Sequence, residues 1–271
     1  MASGDLVRLA DVKAWLGIDP TDTSSDALLS SWITKASQAV INEIGRGPTL
    51  GFRTITETRD GNNGLTMALR FWPVLSVTAL SINGSAVNQQ TDKPFGSGYF
   101  WEAWTGDDTQ GHQYIGCACT RFYRDLQNIV ITYNAGYQVQ GEQYTISNPP
   151  SVGTARPWYS DQGVTFVGGA ALTYIATGTP ATGQYTLDPT TGVYTFAVAD
   201  EGREIAITYS YVPESLQQAT IGIISWQWKQ KDRIGVVSKS LGGQETMSYS
   251  QQPMDSLTAA MLQPFKSVIP L

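Results

Sequence analysis

Histidine and cysteine are nearly missing: His112, Cys117 and Cys119 are the whole supply in 271 residues. That excludes the ordinary structural zinc site, which takes four nitrogen or sulfur ligands. Cys117 and Cys119 stand two apart in GCACTRF, where strand alternation turns both to one face. Reduced, half-buried thiols are expected there. No apolar run approaches the roughly 18 residues of a membrane span. With 41% hydrophobic and 15% charged residues the chain reads as globular and free of membrane segments. MASGDLVRLADV has neither a basic start with an apolar stretch nor a small-residue cleavage site. No secretory signal is expected, and folding in a cytosol is.

Basic residues are also few, and the formal net charge is −6. The stretch 138–211 holds two of them, Arg156 and Arg203, against six acidic residues, a net of −4. Such a chain is poorly suited to gripping a phosphate backbone, which needs clustered Lys and Arg. Neither G-x-x-x-x-G-K-[ST] nor G-x-G-x-x-G occurs, and Gly242-Gly243 reads as part of a flexible polar loop, SKSLGGQETMSYS, with no strand before it.

Catalytic chemistry is equally thin. His112 lies in a Gly/Asp-rich loop with no G-x-S-x-G elbow to support a triad. Asp107-Asp108 and Asp200-Glu201 are adjacent in loops, whereas an acid/base pair must face one substrate from two sides. RDGNNG, residues 59–64, half-resembles a calcium loop but lacks the terminal glutamate and flanking helices, so it reads as a tight hairpin turn. No catalytic, cofactor-binding or metal-binding residue is assigned, and the chain reads as non-enzymatic.

What is present is a change of period along the chain. Val12, Trp15 and Leu16 give an apolar stripe in a short helix ended by Gly17. Leu28, Leu29, Trp32, Ile33, Ala36, Val40, Ile41 and Ile44 give a longer one ended by Gly45. From Phe52 to Tyr133 alternation predicts a β-meander with a hairpin at Asn83-Gly84. A loop rich in glycine and aromatics interrupts it. Residues 138–211 predict roughly six short strands in a small sandwich or barrel. After Pro213, Leu216, Ala219, Ile223, Ile224 and Trp226 mark a helix with Lys229, Lys231 and Arg233 near its end. A last short helix runs from near Pro253 to before Pro264.

Ile131-Thr132-Tyr133 and Ile207-Thr208-Tyr209 pose a choice between a repeat and an inserted domain. Their flanking residues do not match. Joining Gly136-Tyr137 to Val212 leaves a continuous strand, turn and helix start. The reading is an α+β protein whose residues 1–137 and 212–271 form one domain, with 138–211 an inserted all-β domain. Two aromatic groups stand out: Tyr99, Phe100, Trp101 and Trp104 suit a self-packed loop or subunit contact, and Trp158-Tyr159 suits contact with protein or stacking on a sugar.

In order, LVRLADVKAWLGID, LLSSWITKASQAVINEIGR, ETRDGNNGLTMALRFWPVLSVTALSING, ITYNAGY, VPESLQQA and RIGVVSKSLGGQETMSYS resemble the head-to-tail connector, or adaptor, proteins of long-tailed bacteriophages. The resemblance implies a helical connector core, a virion component assembled in the host cytoplasm, and a ring of about twelve copies between the portal protein and a tail-completion or stopper protein. Genomic DNA would pass through the lumen without sequence-specific binding, past an acidic wall. Side-by-side helices would put Trp32, Trp226, Trp228 and Arg233 in the ring interface. The C-terminal stretch would face the portal through Pro264, Phe265, Ile269 and Leu271. Trp158 and Tyr159 of the insert would touch capsid or neck decoration proteins. A glycan-binding accessory module of a phage or bacterial surface structure is the alternative, and it expects those two rings exposed.

Overall fold

The computed structural model describes residues 4–45, 50–90, 96–108, 110–118, 120–231, 238–241, 245–248 and 256–267, with the backbone alone over 238–248. The fold is α+β. Helices α1 (Leu9–Leu16) and α2 (Asp26–Ile44) each end on a left-handed glycine, Gly17 and Gly45, whose N–H groups return to carbonyls of the last turn. Helix α3 (Glu214–Gln230) starts after Pro213, whose carbonyl accepts from Leu216 N and Gln217 N. Helix α4 (Ser256–Leu262) leads into a 3-10 turn, Gln263–Phe265.

Among the described residues, fourteen strands lie between α2 and α3. The first seven are β1 (Arg53–Arg59), β2 (Thr66–Ala68), β3 (Val74–Ile82), β4 (Ser85–Val87), β5 (Gly98–Trp101), β6 (Tyr114–Ala118) and β7 (Ile129–Ala135). They do not form the expected up-and-down meander. They form two sheets, β1-β7-β3-β4 and β2-β6-β5. RDGNNG is therefore no hairpin: it carries the chain from one sheet to the other, and Gly61 N donates to Asp125 O and Asn128 Oδ1. Asn83-Gly84 does close a hairpin, with φ of 51° and 76° as a type I′ turn requires.

The next seven are β8 (Gln138–Thr145), β9 (Ser151–Gly153), β10 (Trp158–Phe166), β11 (Thr173–Tyr174), β12 (Gln184–Asp188), β13 (Val193–Phe196) and β14 (Glu204–Tyr211), in sheets β8-β14-β10 and β9-β13-β12-β11. Set beside the first seven, the topology repeats except at the fourth strand, where β4 joins the sheet of β3 and β11 joins the sheet of β12. β14 lies between β8 and β10 as β7 lies between β1 and β3. The bulges coincide: β3 slips against β7 between Val74 and Ser76 and between Val77 and Ala79, and β10 slips against β14 between Trp158 and Ser160 and between Asp161 and Gly163. In the second unit β11 pairs in parallel with β12, Tyr174 with Tyr185, and in the first a single parallel bridge just past β4, Gln89 with Tyr99, marks the same place. Gly136 N donates to Pro73 O as Val212 N donates to Pro157 O. The two Ile-Thr-Tyr runs occupy equivalent places in the central strands β7 and β14. Register is preserved while side chains are exchanged, which is why the flanking sequences hide it.

Among the described residues, three hydrophobic clusters hold the chain together. One lies wholly within β1–β7 and nearby turns, around Leu69, Ile115, Phe122, Ile131 and Tyr133. A second fills the sandwich of β8–β14 and continues onto the helices through Val40, Ile41, Ile44, Leu216, Leu262 and Phe265. The third joins α1, α2 and α3 through Val12, Leu29, Ile33, Ile221 and Ile224. Residues 138–211 thus share one core with the helix layer, whereas the first sandwich has its own.

SKSLGGQETMSYS also differs from its reading as a loop. Strands β15 (Ser238–Leu241) and β16 (Glu245–Ser248) pair as an antiparallel hairpin, so a strand does precede Gly242-Gly243. Polar residues with a Gly-Gly center are compatible with a two-stranded ribbon. Residues 242–244, and Arg233 before the hairpin, lie outside the described residues.

Candidate assembly surfaces

The N-terminal helix pair is held from below by buried polar contacts. Ser37 Oγ accepts from Leu6 N at 2.9 Å. Lys13, buried at the end of α1, donates to the carbonyls of Pro20 and Asp22 and pairs with Asp26 at 3.0 Å, fixing the α1–α2 turn. Trp15 does not join the apolar stripe expected of it: 58% of the residue is exposed, and Leu28 is 42% exposed. Position 15 falls beyond the edge of the arc that Val12 buries, a distinction a loose apolar count misses. These two are large apolar groups left uncovered on the helix layer.

Trp32 and Trp228 come together, edge to face, with ring centroids 6.3 Å apart and planes at 80°. Lys231 Nζ lies 3.7 Å from the center of the Trp228 ring. Both tryptophans are half-buried within the chain, as is Trp226, which stands apart from this pair. On α3, Ile221 occupies the buried side in place of Ile223 and Trp226, which are half-buried.

The C-terminal segment folds back on its own chain as far as it is described. Phe265 is fully buried against the ring of Tyr137, 6.2 Å away, so it is a core residue and not an anchor held out for a partner. Pro264 sits in the 3-10 turn beside it. Ser267 N donates to Ile44 O at 2.7 Å, and Lys266 pairs with Glu43 at 2.6 Å. Ile269 and Leu271 lie outside the described residues.

Trp158 is buried, and its Nε1 donates to Tyr194 Oη at 3.1 Å. Tyr194 and Tyr185 in turn donate to Asp161 at 2.9 and 2.6 Å. Tyr159 is half-buried with its ring against Gly51. Buried Trp158 offers no open ring face of the kind stacking on a sugar requires. Of the other aromatic group, Tyr99 is buried and donates to Val77 O, and Trp104 packs on the second sandwich.

Ionizable groups serve the fold. Glu57 is buried, accepts from Tyr133 Oη and Arg70 N, and pairs with Arg59. Burial first, then the adjacent Glu57 carboxylate, pushes the Tyr133 phenol far above its usual value. Burial also pushes the Cys117 thiol up to about 11, so it resists forming the reactive thiolate; Cys119 is outside the described residues. His112 packs against Trp72, with ring centers 4.2 Å apart and planes tilted by 51°. Among the described residues no three His, Cys, Asp or Glu side chains gather as metal ligands, and no helix is long and apolar enough to cross a membrane.

The helices and the strand that follows them carry a family signature. Residues 7–61, which run from α1 through α2 and β1, match the family of phage gp6-like head-tail connector proteins. Among solved structures, a chain from "Neck of empty GTA particle computed with C6 symmetry" aligns over 98% of this chain and 91% of its own, at 11% identity and a TM-score of 0.38. No curated protein matches.

Proposed function

We propose that this protein is a structural head-to-tail connector of a tailed phage or phage-like particle, resident in the neck of the virion. The match over residues 7–61 carries the reading, because that segment builds two of the helices and opens the β region. In this reading about twelve copies close a ring through heterologous contacts between helix layers. Trp15 and Leu28, exposed on that layer, join Trp32, Trp226, Trp228 and Arg233 as candidate interface residues. The ring sits between the portal and a tail-completion or stopper protein, and an acidic lumen lets DNA pass by like-charge repulsion. Because Phe265 belongs to the core, the portal contact falls to the exposed Pro264 and to Ile269 and Leu271. The acidic stretch 138–211, read as an insert, offers its outer face to neighboring neck or capsid proteins. The ring needs no catalytic group.

Symmetry-resolved cryo-imaging of the particle whose genome encodes this chain tests the proposal. Ring density of about twelve copies between portal and tail, fitted by the two sandwiches, is the expected result. Absence of the chain from the neck overturns it.

A further inference from the structure

We propose that the first sandwich is a hinged lobe whose angle to the rest of the chain is set by a latch in the loop 102–113. The lobe has its own core, and the chain joins it to the remainder at two places, 50–52 before β1 and 135–137 after β7. These passages lie side by side. Tyr137 N donates to Leu50 O at 3.1 Å, and a Cβ on Gly136 would stand 2.4 Å from Gly51 O. Phe52 N donates to Ser210 Oγ at the same spot. Two adjacent passages define one axis, and a few residues at element ends are what a hinge requires.

Away from that axis the loop crosses to the second sandwich. Asp108 receives the Tyr211 hydroxyl, and Arg156 Nη1 donates to both of its carboxylate oxygens, at 3.2 and 3.1 Å. The Arg156 guanidinium also covers the Tyr211 ring at 4.5 Å. Tyr137 Oη donates to Asp108 O, and Trp104 packs on the cluster that the second sandwich shares with the helices. Tyr211 ends β14 three residues before α3, so the latch closes where sandwich becomes helix.

The latch is built to hold without locking. The side chains of Arg156 and Asp108 are 44% and 24% exposed, which leaves their ion pair screened by water. A groove of about 300 Å³, lined by Asp108, Arg156, Pro157, Tyr211, Glu214 and Ser215, opens beside it. The repeat shows that the lobe does not need the loop's length for closure: β12 and β13 are joined by only residues 189–192. The added residues of the first unit are the ones that reach across.

Hydrogen–deuterium exchange on the full chain tests this with two variants. One is Asp108→Asn. The other replaces 103–111 by Pro-Thr-Thr-Gly and retains Gln113, whose amide bonds Val74 and Glu102 inside the lobe. Loss of the charged hydrogen bonds is expected to speed exchange about tenfold at 50–52, 135–137 and 211–215, with the centers of β3 and β7 unchanged. Unaltered exchange at those segments in both variants overturns the latch. Faster exchange throughout β1–β7 also overturns it, since the loop would then be part of the lobe's own core. The readout is taken on the unassembled chain and is independent of any role in a neck.

Discussion

Tyr133 and Tyr209 hold the same position in two sandwiches, and each donates its hydroxyl to a glutamate of the edge strand beside it, Glu57 on β1 and Glu142 on β8. Each oxygen also accepts a backbone N–H, from Phe71 and Arg156. The contact differs in burial: Glu57 is enclosed, while Glu142 is half-exposed. Tyr133→Phe is expected to destabilize by about 2–3 kcal/mol and Tyr209→Phe by about 1 kcal/mol, because the enclosed carboxylate cannot turn to water. Urea unfolding of both variants checks the order; equal losses would contradict it.

Trp15 and Trp228 separate assembly from folding. Trp15→Ser removes an exposed ring and should leave monomer stability within about 0.5 kcal/mol, while reducing incorporation into rings. Trp228→Ala loses the edge-to-face contact with Trp32 and part of a helix–helix seam. It should cost about 2 kcal/mol in the monomer itself. Paired denaturation and ring-assembly measurements on the two variants show whether the exposed tryptophan has the predicted role.

Gly136 and Gly84 both have positive φ, 134° and 76°, but only Gly136 is crowded by backbone. Gly84→Ala should cost about 1–2 kcal/mol for the left-handed turn. Gly136→Ala should exceed about 3 kcal/mol, because Gly51 must also move. Thermal melts of the two variants give the comparison.

Alkali should weaken the fold before mild acid does. Cys117 has its folded value raised to about 11 by burial, so below about 9 the unfolded and folded chains hold the same proton. As pH rises from there, the unfolded chain loses it first and stability falls until about 11, by about 2–3 kcal/mol in all. Tyr99, Tyr133, Tyr185, Tyr194, Tyr209 and Tyr211 are shifted in the same direction chiefly by burial and extend the loss upward. Cys117→Ala should flatten the 9–10 portion of a stability–pH curve and leave in place the steeper tyrosine fall that begins near 10.

The helices were legible because Leu29, Ile33, Ala36, Val40 and Ile44 state their period locally, and Asn83-Gly84 announces its own turn. The duplicated topology was not legible, since a strand pair such as β1 with β7 joins residues about 76 apart and leaves no local pattern. Two Ile-Thr-Tyr runs and the paired Pro73 and Pro157 were its residue-level trace, too little against Val77 in one unit facing the place of Asp161 in the other. For the candidate surfaces, aromatic content does not say which face is wet. Trp158 and Phe265 went inside, and Trp15 stayed out.

The placement of α3 and α4 imposes an order on synthesis. The apolar stripe of α2 is covered by residues of α3 and α4, made some 170 residues later. At about 5–20 residues per second, that is a delay of roughly 10–35 s. During it the first sandwich can close on its own core, while α1 and α2 wait on the ribosome with Leu29, Ile33 and Val40 unpaired. A nascent chain stalled before residue 214 would therefore display a folded β lobe beside a sticky helix pair, a species suited to capture by chaperones.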